Sequence, residues 1–502
     1  MEVFDVVVVG AGNGGLVAAA STAKEGYKTL VLEKHNLPGG CATSFVRGRF
    51  EFEAALHELC DASTDPQADD VQSIFKRLGV DIPFYYEDRL FRAIVKGEGG
   101  YDVRIRPGYE QFLDDMEAAV PGCRESVKKL LDLNRTLDEA QAYMNSPKFN
   151  PAKLMSEYGD FVKAASHSMD DVMQEYGIPE KAQSILGTYW GYLGVPTDDM
   201  NALHYLSLLM AFIQTPPSMP YLRSHEISLA LVNSIQKYGG EVRYNSEVSR
   251  FLYSEKGAVI GVEVAGERIF AKKVISNIIP NNVWNMSEQK HIPKSALKLA
   301  NARKLGMSFV TVYLGLDASM EEIGIEDYTT FISSSPNTRR QFNERADFGM
   351  YVVNCLNKAL PEASEPGTSM LFFTMPVMPG DFPENLRPEE YKRYKNEYAR
   401  RYIEDYEKTM GIRIAEHIEE IEIATPVTFA RYLGTPDGCI YGYASEEWDN
   451  VVARTVLKDV ENKIPNLAFC GGHSIRGDGY PSAYITGAMA GEKVIKELRR
   501  GK

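Results

Sequence analysis

The sequence predicts an α/β protein: a Rossmann-like dinucleotide-binding domain assembled from discontinuous segments, joined to an α+β domain. Three observations carry this. The run Asp5 to Val9, with four consecutive valines, leads straight into Gly10-Ala11-Gly12-Asn13-Gly14-Gly15 and then into the alanine-rich stretch Leu16 to Ala23. A second strand-like run, Lys28 to Leu32, ends at Glu33, about twenty residues beyond the glycines. At the other end, Leu467 to Cys470, a glycine-rich turn from Gly471 to Gly479 and a helical stretch from Pro481 to Leu498 repeat the order strand, turn, helix.

Each element has its own reason. Gly10 permits a tight turn, Gly12 lets the backbone approach a pyrophosphate, and Gly15 lets helix and strand pack closely while the positive helix end faces the negative charge. Glu33 stands where a carboxylate meets an adenosine ribose hydroxyl. The helical stretch Ser228 to Tyr238 is followed by short alternating runs at 240–244, 247–253, 259–264 and 268–276, separated by glycine turns. These predict a small antiparallel layer laid against the parallel sheet. Pro481 suits the first position of the final helix. The dinucleotide-binding domain is therefore expected from 1–75, 227–280 and 436–502, which leaves 76–226 and 281–435 for a substrate-binding domain. The runs Met200 to Met219 and Val352 to Met378, rich in Met, Leu, Phe and Pro, read first as core and second as tunnel lining.

A chain of 502 residues is too long for one core. Its net charge of −14 speaks against a nucleic-acid partner, which needs a basic surface. The six cysteines, Cys41, Cys60, Cys123, Cys355, Cys439 and Cys470, form no C-x-x-C pair and no metal-like spacing. They read as free thiols in a reducing compartment, and no metal is expected. The first strand starts at once, which leaves no room for a leader, and the apolar stretch around Leu203 to Ile213 is too short to span a bilayer. A cytoplasmic location is expected. The tyrosines Tyr391, Tyr394, Tyr398, Tyr402 and Tyr406, interleaved with basic residues, read as a helical packing face first and a peripheral membrane contact second. The oligomeric state is not encoded in any pattern.

These motifs together resemble the FAD-dependent phytoene desaturase, carotenoid isomerase and retinol saturase family. Leu37-Pro38-Gly39-Gly40-Cys41-Ala42-Thr43-Ser44-Phe45 is similar to the family's double-glycine segment. Gly48 to His57 is similar to the stretch with a glycine, an acidic residue and, in the saturase-like branch, a histidine. Here Ala55 stands where a glycine is usual. Gly240 to Val248 and Val274 to Asn277 resemble the adenine-side strands, and Arg476-Gly477-Asp478-Gly479-Tyr480-Pro481-Ser482 resembles the turn that opens the flavin-side helix. Departures are Gly472 where the family has an acidic residue, Arg476 where it has a proline, and Ser224-His225 where it has two glycines.

The resemblance implies a Rossmann-like FAD-binding domain. Its cofactor-binding residues would be Gly10, Gly12, Asn13, Gly14, Gly15, Glu33, Lys34, Gly39, Gly40, Thr43, Ser44, Val248, Asn277, Gly472, Gly479, Tyr480, Pro481 and Ser482. Val248 would bond the adenine through its backbone. The final helix would point its N-terminal amides at the flavin and stabilise the anionic reduced ring. Candidate catalytic residues are His57, Tyr441 and Tyr480. His57 reads first as a satisfied histidine in an apolar helix and second as a functional group, while Tyr441 reads equally as an acid and as a packed aromatic. Arg476 is expected beside Tyr480 in the site, while turn chemistry alone accounts for Asp478. The implied activity is saturation, desaturation or isomerisation of carbon–carbon double bonds in an apolar, polyene or isoprenoid substrate, with His57 favouring saturation or isomerisation. Two alternatives share the architecture. One is an amine- or protoporphyrinogen-type flavin oxidase. The other is a non-enzymatic prenyl-lipid binder like the Rab GDP-dissociation inhibitors, against which the intact Gly10, Gly12, Gly15 and Glu33 set speaks.

Overall fold

The structure, a computed structural model, describes residues 2–63, 70–97, 99–144, 148, 150–383, 385–446, 448–450, 453–454, 463–477 and 479–501. Asp478 thus lies outside the described residues. The architecture is the α/β class that the sequence predicts.

The first of two large sheets is built around β1 (Glu2–Val9), with β2 (Thr29–Leu32) and then β9 (Glu241–Arg243) on one side and β12 (Glu267–Ser276) on the other. All of these pairings are parallel. A central parallel strand is buried on both faces, which is why its sequence is an unbroken valine run. Val6 and Val8 pack on one side with Val17 and Ala18 of the helix Asn13–Lys24, while Val7 and Val9 pack on the other with Leu30 and Val274.

The short strands β10 (Val248–Tyr253) and β11 (Val259–Val264) are antiparallel as expected, but they do not form a separate layer. They extend the same sheet. The reason is the length of β12: its first half pairs with β11, and its second half pairs on the same edge with β18 (Leu467–Phe469).

The helix Tyr480–Arg500 lies tightly against Asn13–Lys24. A Cβ on Gly487 would come within 2.3 Å of the Gly14 carbonyl oxygen, and one on Gly491 within 2.9 Å of Ser21 Cβ. Gly15 behaves as the motif demands, since its Cβ would lie 2.1 Å from the Gly10 carbonyl oxygen. Two helices start earlier than periodicity suggests. One begins at Asn13 inside the glycine run, and the other spans Arg223–Lys237.

Two small antiparallel pairs flank the large sheets. They are β3 (Ser44–Arg47) with β4 (Phe50–Glu53), and β5 (Phe84–Tyr86) with β8 (Ser218–Pro220). The second large sheet has the order β17 (Ile418–Ala424), β13 (Ser308–Leu316), β16 (Ser369–Val377), β15 (Met350–Cys355), β14 (Thr329–Ser333), β6 (Phe91–Val95) and β7 (Tyr101–Ile105). Only β14 and β6 pair in parallel within it. One face of this sheet, with Val310, Val312, Tyr351, Leu371 and Phe373, is covered by Tyr398, Tyr402 and Tyr406 of the helix Pro388–Met410. The tyrosine stripe is therefore a packing face. Its charged rim pairs within the helix, as in Arg400 with Glu397 and Glu404.

Among the described residues no helix is long and apolar enough to cross a membrane, and no cluster of His, Cys, Asp or Glu could hold a metal. All six cysteines are free thiols.

Candidate functional site

One cavity joins the glycine-rich turns of the first sheet to the uncovered face of the second. Its polar end begins at the βα turn. Gly10, Gly12, Asn13 and Gly14 line it, and across from them lie Gly39 and Gly40. The two segments are tied by the Gly39 amide, which donates to the Ala11 carbonyl at 2.7 Å. Gly39 takes φ +114, and a Cβ there would fall 2.0 Å from the Ala42 carbonyl oxygen, so both conformation and space require glycine.

Glu33 is 8 % exposed. Its Oε2 accepts from the Ala11 amide at 2.7 Å and its Oε1 from the His35 amide at 2.9 Å. These bonds hold the carboxylate at the cavity wall and leave further lone pairs for a hydroxyl ligand. Lys34 and Val248 line the same end. The Lys34 ammonium donates to the Arg431 carbonyl at 3.0 Å.

Asn277 forms the floor of the turn. Its side-chain amide is wedged where a Cβ on Gly12 would sit 2.6 Å from Nδ2, and one on Gly14 would sit 2.8 Å from Oδ1. The Gly14 Cβ would also meet the Gly471 nitrogen at 2.8 Å, so the first and last turns of the chain meet here.

Gly472, Gly479, Tyr480 and Pro481 complete this end. The helices Asn13–Lys24 and Tyr480–Arg500 both open towards the cavity from a glycine N-cap, without a capping side chain and without an acidic residue in the first turn. Their amides and dipoles thus present positive ends to whatever lies between. The buried Asn13 Oδ1 has no hydrogen-bond partner. A cradle with no free room for a Cβ at Gly12, Gly14 or Gly39, an orphaned buried oxygen, two uncapped helix starts and a fixed carboxylate together fit a dinucleotide.

Four of the expected cofactor residues do not line the cavity. Gly15 lies behind the turn against Gly10, as its packing role requires. Ser44 is the first residue of β3, and its hydroxyl donates to Glu51 at 2.6 Å across the hairpin. Thr43 is intermediate in burial but its Oγ1 is enclosed and unpartnered, and its carbonyl is taken up by the Ala54 amide. Ser482 sits in the first turn of the last helix, where its carbonyl accepts from Thr486 Oγ1 at 2.9 Å. Arg476 is exposed and likewise absent from the lining.

The other end of the cavity is apolar. Alternate residues of three strands face it: Phe309 and Thr311 of β13, Met350 and Val352 of β15, and Phe372, Thr374 and Pro376 of β16. Their neighbours in sequence point into the core under the helix Pro388–Met410, as the period of two dictates. Leu208 and Phe212 close the opposite wall with Tyr192. Both Met- and Phe-rich runs of the sequence therefore serve core and cavity at once.

His57 lines this end from an irregular segment after β4 rather than from a helix. The segment is bent by Glu53, whose Oε1 accepts from the amides of Ala55 at 3.1 Å and Leu56 at 2.9 Å. The same buried carboxyl also accepts from the Ser224 amide at 2.9 Å and the Ser224 hydroxyl at 2.7 Å, which explains the early start of the middle helix. Arg223, the first residue of the helix Arg223–Lys237, takes φ +67, a region a glycine would occupy without strain.

His57 Nε2 lies 2.8 Å from Thr374 Oγ1, and its ring packs against Tyr192 and Phe372. Burial pushes its pKa down to about 4, so the imidazole is neutral at neutral pH. The Tyr441 hydroxyl donates to the Gly191 carbonyl at 3.2 Å, and the Tyr480 hydroxyl to the Cys41 carbonyl at 3.0 Å. Both tyrosines line the cavity. His473, within the glycine-rich turn from Gly471 to Gly479, also lines it, with an unpartnered buried Nε2. Burial, aided by the nearby Arg303 and Arg454 guanidiniums, pushes its pKa down to about 3.

Glu58 was missed by sequence reasoning. It is 8 % exposed and lines the cavity beside His57. Its Oε1 accepts from the Tyr192 hydroxyl at 3.0 Å and its Oε2 from Thr329 Oγ1 at 3.3 Å. Burial pushes its pKa up to about 8. The available signal was an acid set within the apolar run Ala54 to Cys60.

A second buried acid, Glu87, is 5 % exposed with an unpartnered Oε1, and burial, reinforced by Asp88, raises its pKa to about 8. Between pH 4.5 and 8 the folded protein holds a proton there that the unfolded chain has released, so stability falls as pH rises through this window. The loss is up to ~1.4 kcal/mol per pH unit for each such carboxyl. Glu87→Gln is expected to match the wild type near pH 4.5 and to be more stable at pH 8, with a flatter dependence of melting temperature on pH. Parallel melting curves that keep the wild-type slope would refute this.

Comparison with known proteins agrees with the resemblance read from the motifs. Residues 8–78 match the family model of the NAD(P)-binding Rossmann-like domain. The chain is 25% identical to an all-trans-retinol 13,14-reductase of Danio rerio, over 94% of this chain and 84% of that protein. It is 24% identical to a 4,4'-diapolycopene oxygenase of Methylomonas sp, over 98% of each. Among solved structures, a double mutant of putrescine oxidase superposes with a TM-score of 0.66 at 16% identity, covering 99% of both chains. That likeness shows a shared fold.

Proposed function

We propose that this relative of the retinol reductases and carotenoid-converting enzymes is an FAD-dependent oxidoreductase acting on carbon–carbon double bonds of an apolar, polyene or isoprenoid substrate. The observation that carries the reading is the single cavity joining a dinucleotide cradle to an apolar chamber. The expected division into 1–75, 227–280 and 436–502 for the cofactor and 76–226 and 281–435 for the substrate belongs to this reading.

When bound, the flavin supplies reversible two-electron transfer to or from the double bond. The chain's own residues do the rest. Glu33 and the backbone at Val248 hold the adenosine end, which is why we assign FAD and not FMN. The amides at Gly12 to Gly14 and the Gly39-Gly40 loop take the pyrophosphate. The helix start at Gly479 to Pro481 favours negative charge on the ring. The aromatic walls exclude water, and the neutral His57, paired with Thr374, offers an uncharged polar contact to the substrate. The apolar small molecule is the partner in this reading. The net charge of −14 disfavours nucleic acid, and the six free thiols fit a cytoplasmic enzyme.

The test is direct. Purified protein should be yellow and release FAD on denaturation. The anaerobically reduced enzyme should be reoxidised by a polyene, with loss or shift of polyene absorbance, and the oxidised enzyme should stay oxidised under small primary amines. Rapid bleaching by an amine would move the protein to the oxidase class, and an apolar ligand bound without flavin would make it a lipid binder.

A further inference from the structure

The apolar chamber contains one carboxyl group among its lining residues, and it is built in with care. Glu58 follows His57 on the segment bent by Glu53, and both of its oxygens are held, one by Tyr192 and one by Thr329. Thr329 is oriented in turn by the Asn354 side-chain amide at 2.9 Å. No cationic side chain is bonded to it among the described residues. The structural carboxyl of Glu53 is enclosed by backbone amides and Ser224 and does not line the cavity, whereas Glu58 does. It faces a chamber walled mainly by Phe, Met, Val and Leu, whose other polar lining groups, Thr311, Thr374, Tyr192, Tyr441 and His57, carry no carboxyl.

Resting on the reading above, we propose that Glu58 is the acid–base residue that delivers a proton to the double-bond carbon of the substrate, or removes it in the reverse direction. In the saturating direction one alkene carbon would receive a hydride, carrying two electrons, which a reduced flavin would supply when bound. The Glu58 O–H bond breaks, and the π pair of the alkene forms the second C–H bond with that proton. Glu58 is left as a carboxylate and regains a proton from solvent. In isomerisation the same proton is added to the polyene and then withdrawn, with no net redox change.

The two tyrosines are set aside by their hydrogen bonds and His57 by its burial. The Tyr441 and Tyr480 hydroxyls donate to backbone carbonyls, and the His57 imidazole is neutral. At neutral pH Glu58 carries its proton, as a donor requires, because its burial raises its pKa to about 8. The titratable groups facing it are Tyr189 and Tyr192 from the segment Gly187–Leu193, Glu87 from the loop before β6, and Tyr328 beside Thr329 at the start of β14. Cys60 and His57 lie on its own segment. Of the carboxyls among these, Glu87 shares its range.

The experiment compares wild type with Glu58→Gln, Tyr192→Phe and Glu87→Gln as flavin-loaded proteins, using all-trans-retinol as the probe. Infrared difference spectra on probe binding should show a protonated carboxyl band that shifts in wild type and Glu87→Gln and is missing in Glu58→Gln. Turnover should fall at least ~100-fold in Glu58→Gln, with flavin content and probe binding retained. Wild-type turnover should decline as pH rises through about 8. Glu87→Gln should keep that limb at a lower pH, since Glu87 raises the pKa of Glu58, and Tyr192→Phe should move it to higher pH, since the Tyr192 hydrogen bond lowers it. Near-normal turnover and an unchanged limb in Glu58→Gln would overturn the proposal. So would a carboxyl band in wild type that ignores the probe, even if that protein converts nothing and the assigned reaction fails on its own.

Discussion

Gly12→Val is expected to yield a folded, colourless protein. Gly12 has φ −76 and ψ 177, an extended conformation open to any residue, so the substitution brings little backbone strain. Its effect is spatial. A Cβ there would lie 2.6 Å from Asn277 Nδ2, and the valine methyls would enter the space between Gly12, Gly40 and the start of the helix Asn13–Lys24. The Asn277 amide can rotate away, and the fold survives. The phosphates cannot then approach the amides, and flavin affinity should drop by at least ~100-fold, a loss of about 2.7 kcal/mol. Added FAD should raise the wild-type melting temperature and leave that of the variant unchanged. A normal flavin spectrum in the purified variant would defeat the cradle assignment. Gly15→Val is a poorer test, because its Cβ meets the Gly10 carbonyl at 2.1 Å and folding itself would fail.

Glu53→Ala is expected to damage stability and activity together. Four hydrogen bonds converge on this 1 % exposed carboxyl, from Ala55, Leu56 and twice from Ser224. Burial pushes its pKa up while these bonds oppose the shift. Removing the acceptor strands buried donors at ~1–3 kcal/mol each, so a net loss of about 3 kcal/mol follows even with some relaxation. The segment carrying His57 and Glu58 would lose its bend, and turnover should fall at least ~100-fold even where the protein is still folded. Glu53→Gln, which keeps the shape and one acceptor oxygen, should recover much of the stability. Melting curves and turnover measured below the transition separate the two effects. A Glu53→Ala protein with wild-type values for both would remove Glu53 from the site's support.

The glycine-rich half of the cavity was legible because its signals are local. The βα turn, Glu33 and the last helix are each short runs whose glycines and spacing answer to backbone geometry within the run. Fourteen of the eighteen expected cofactor residues line the cavity, and the exceptions are instructive. The resemblance of 37–45 to a double-glycine segment implies Thr43 and Ser44 at the pyrophosphate, but the hairpin β3–β4 turns Ser44 towards Glu51. The hairpin β10–β11 could not be read as part of the main sheet, because that depends on β12 offering one edge to two distant strands.

The α/β class, the dinucleotide turn and the family resemblance can be read along the chain, since these rest on the order of strand, glycine turn and helix. Which residues form the chamber depends on how the elements pack. In β13, β15 and β16 both faces are apolar, so alternation along the strand carries no sign of which side meets the cavity. That choice is made when the helix Pro388–Met410 covers one face and leaves Phe309, Val352 and Phe372 to the other. Glu58 follows the same rule: its neighbours in sequence say only that it is an acid among apolar residues, and the packing of Tyr192 and Thr329 around it gives that acid a place to act.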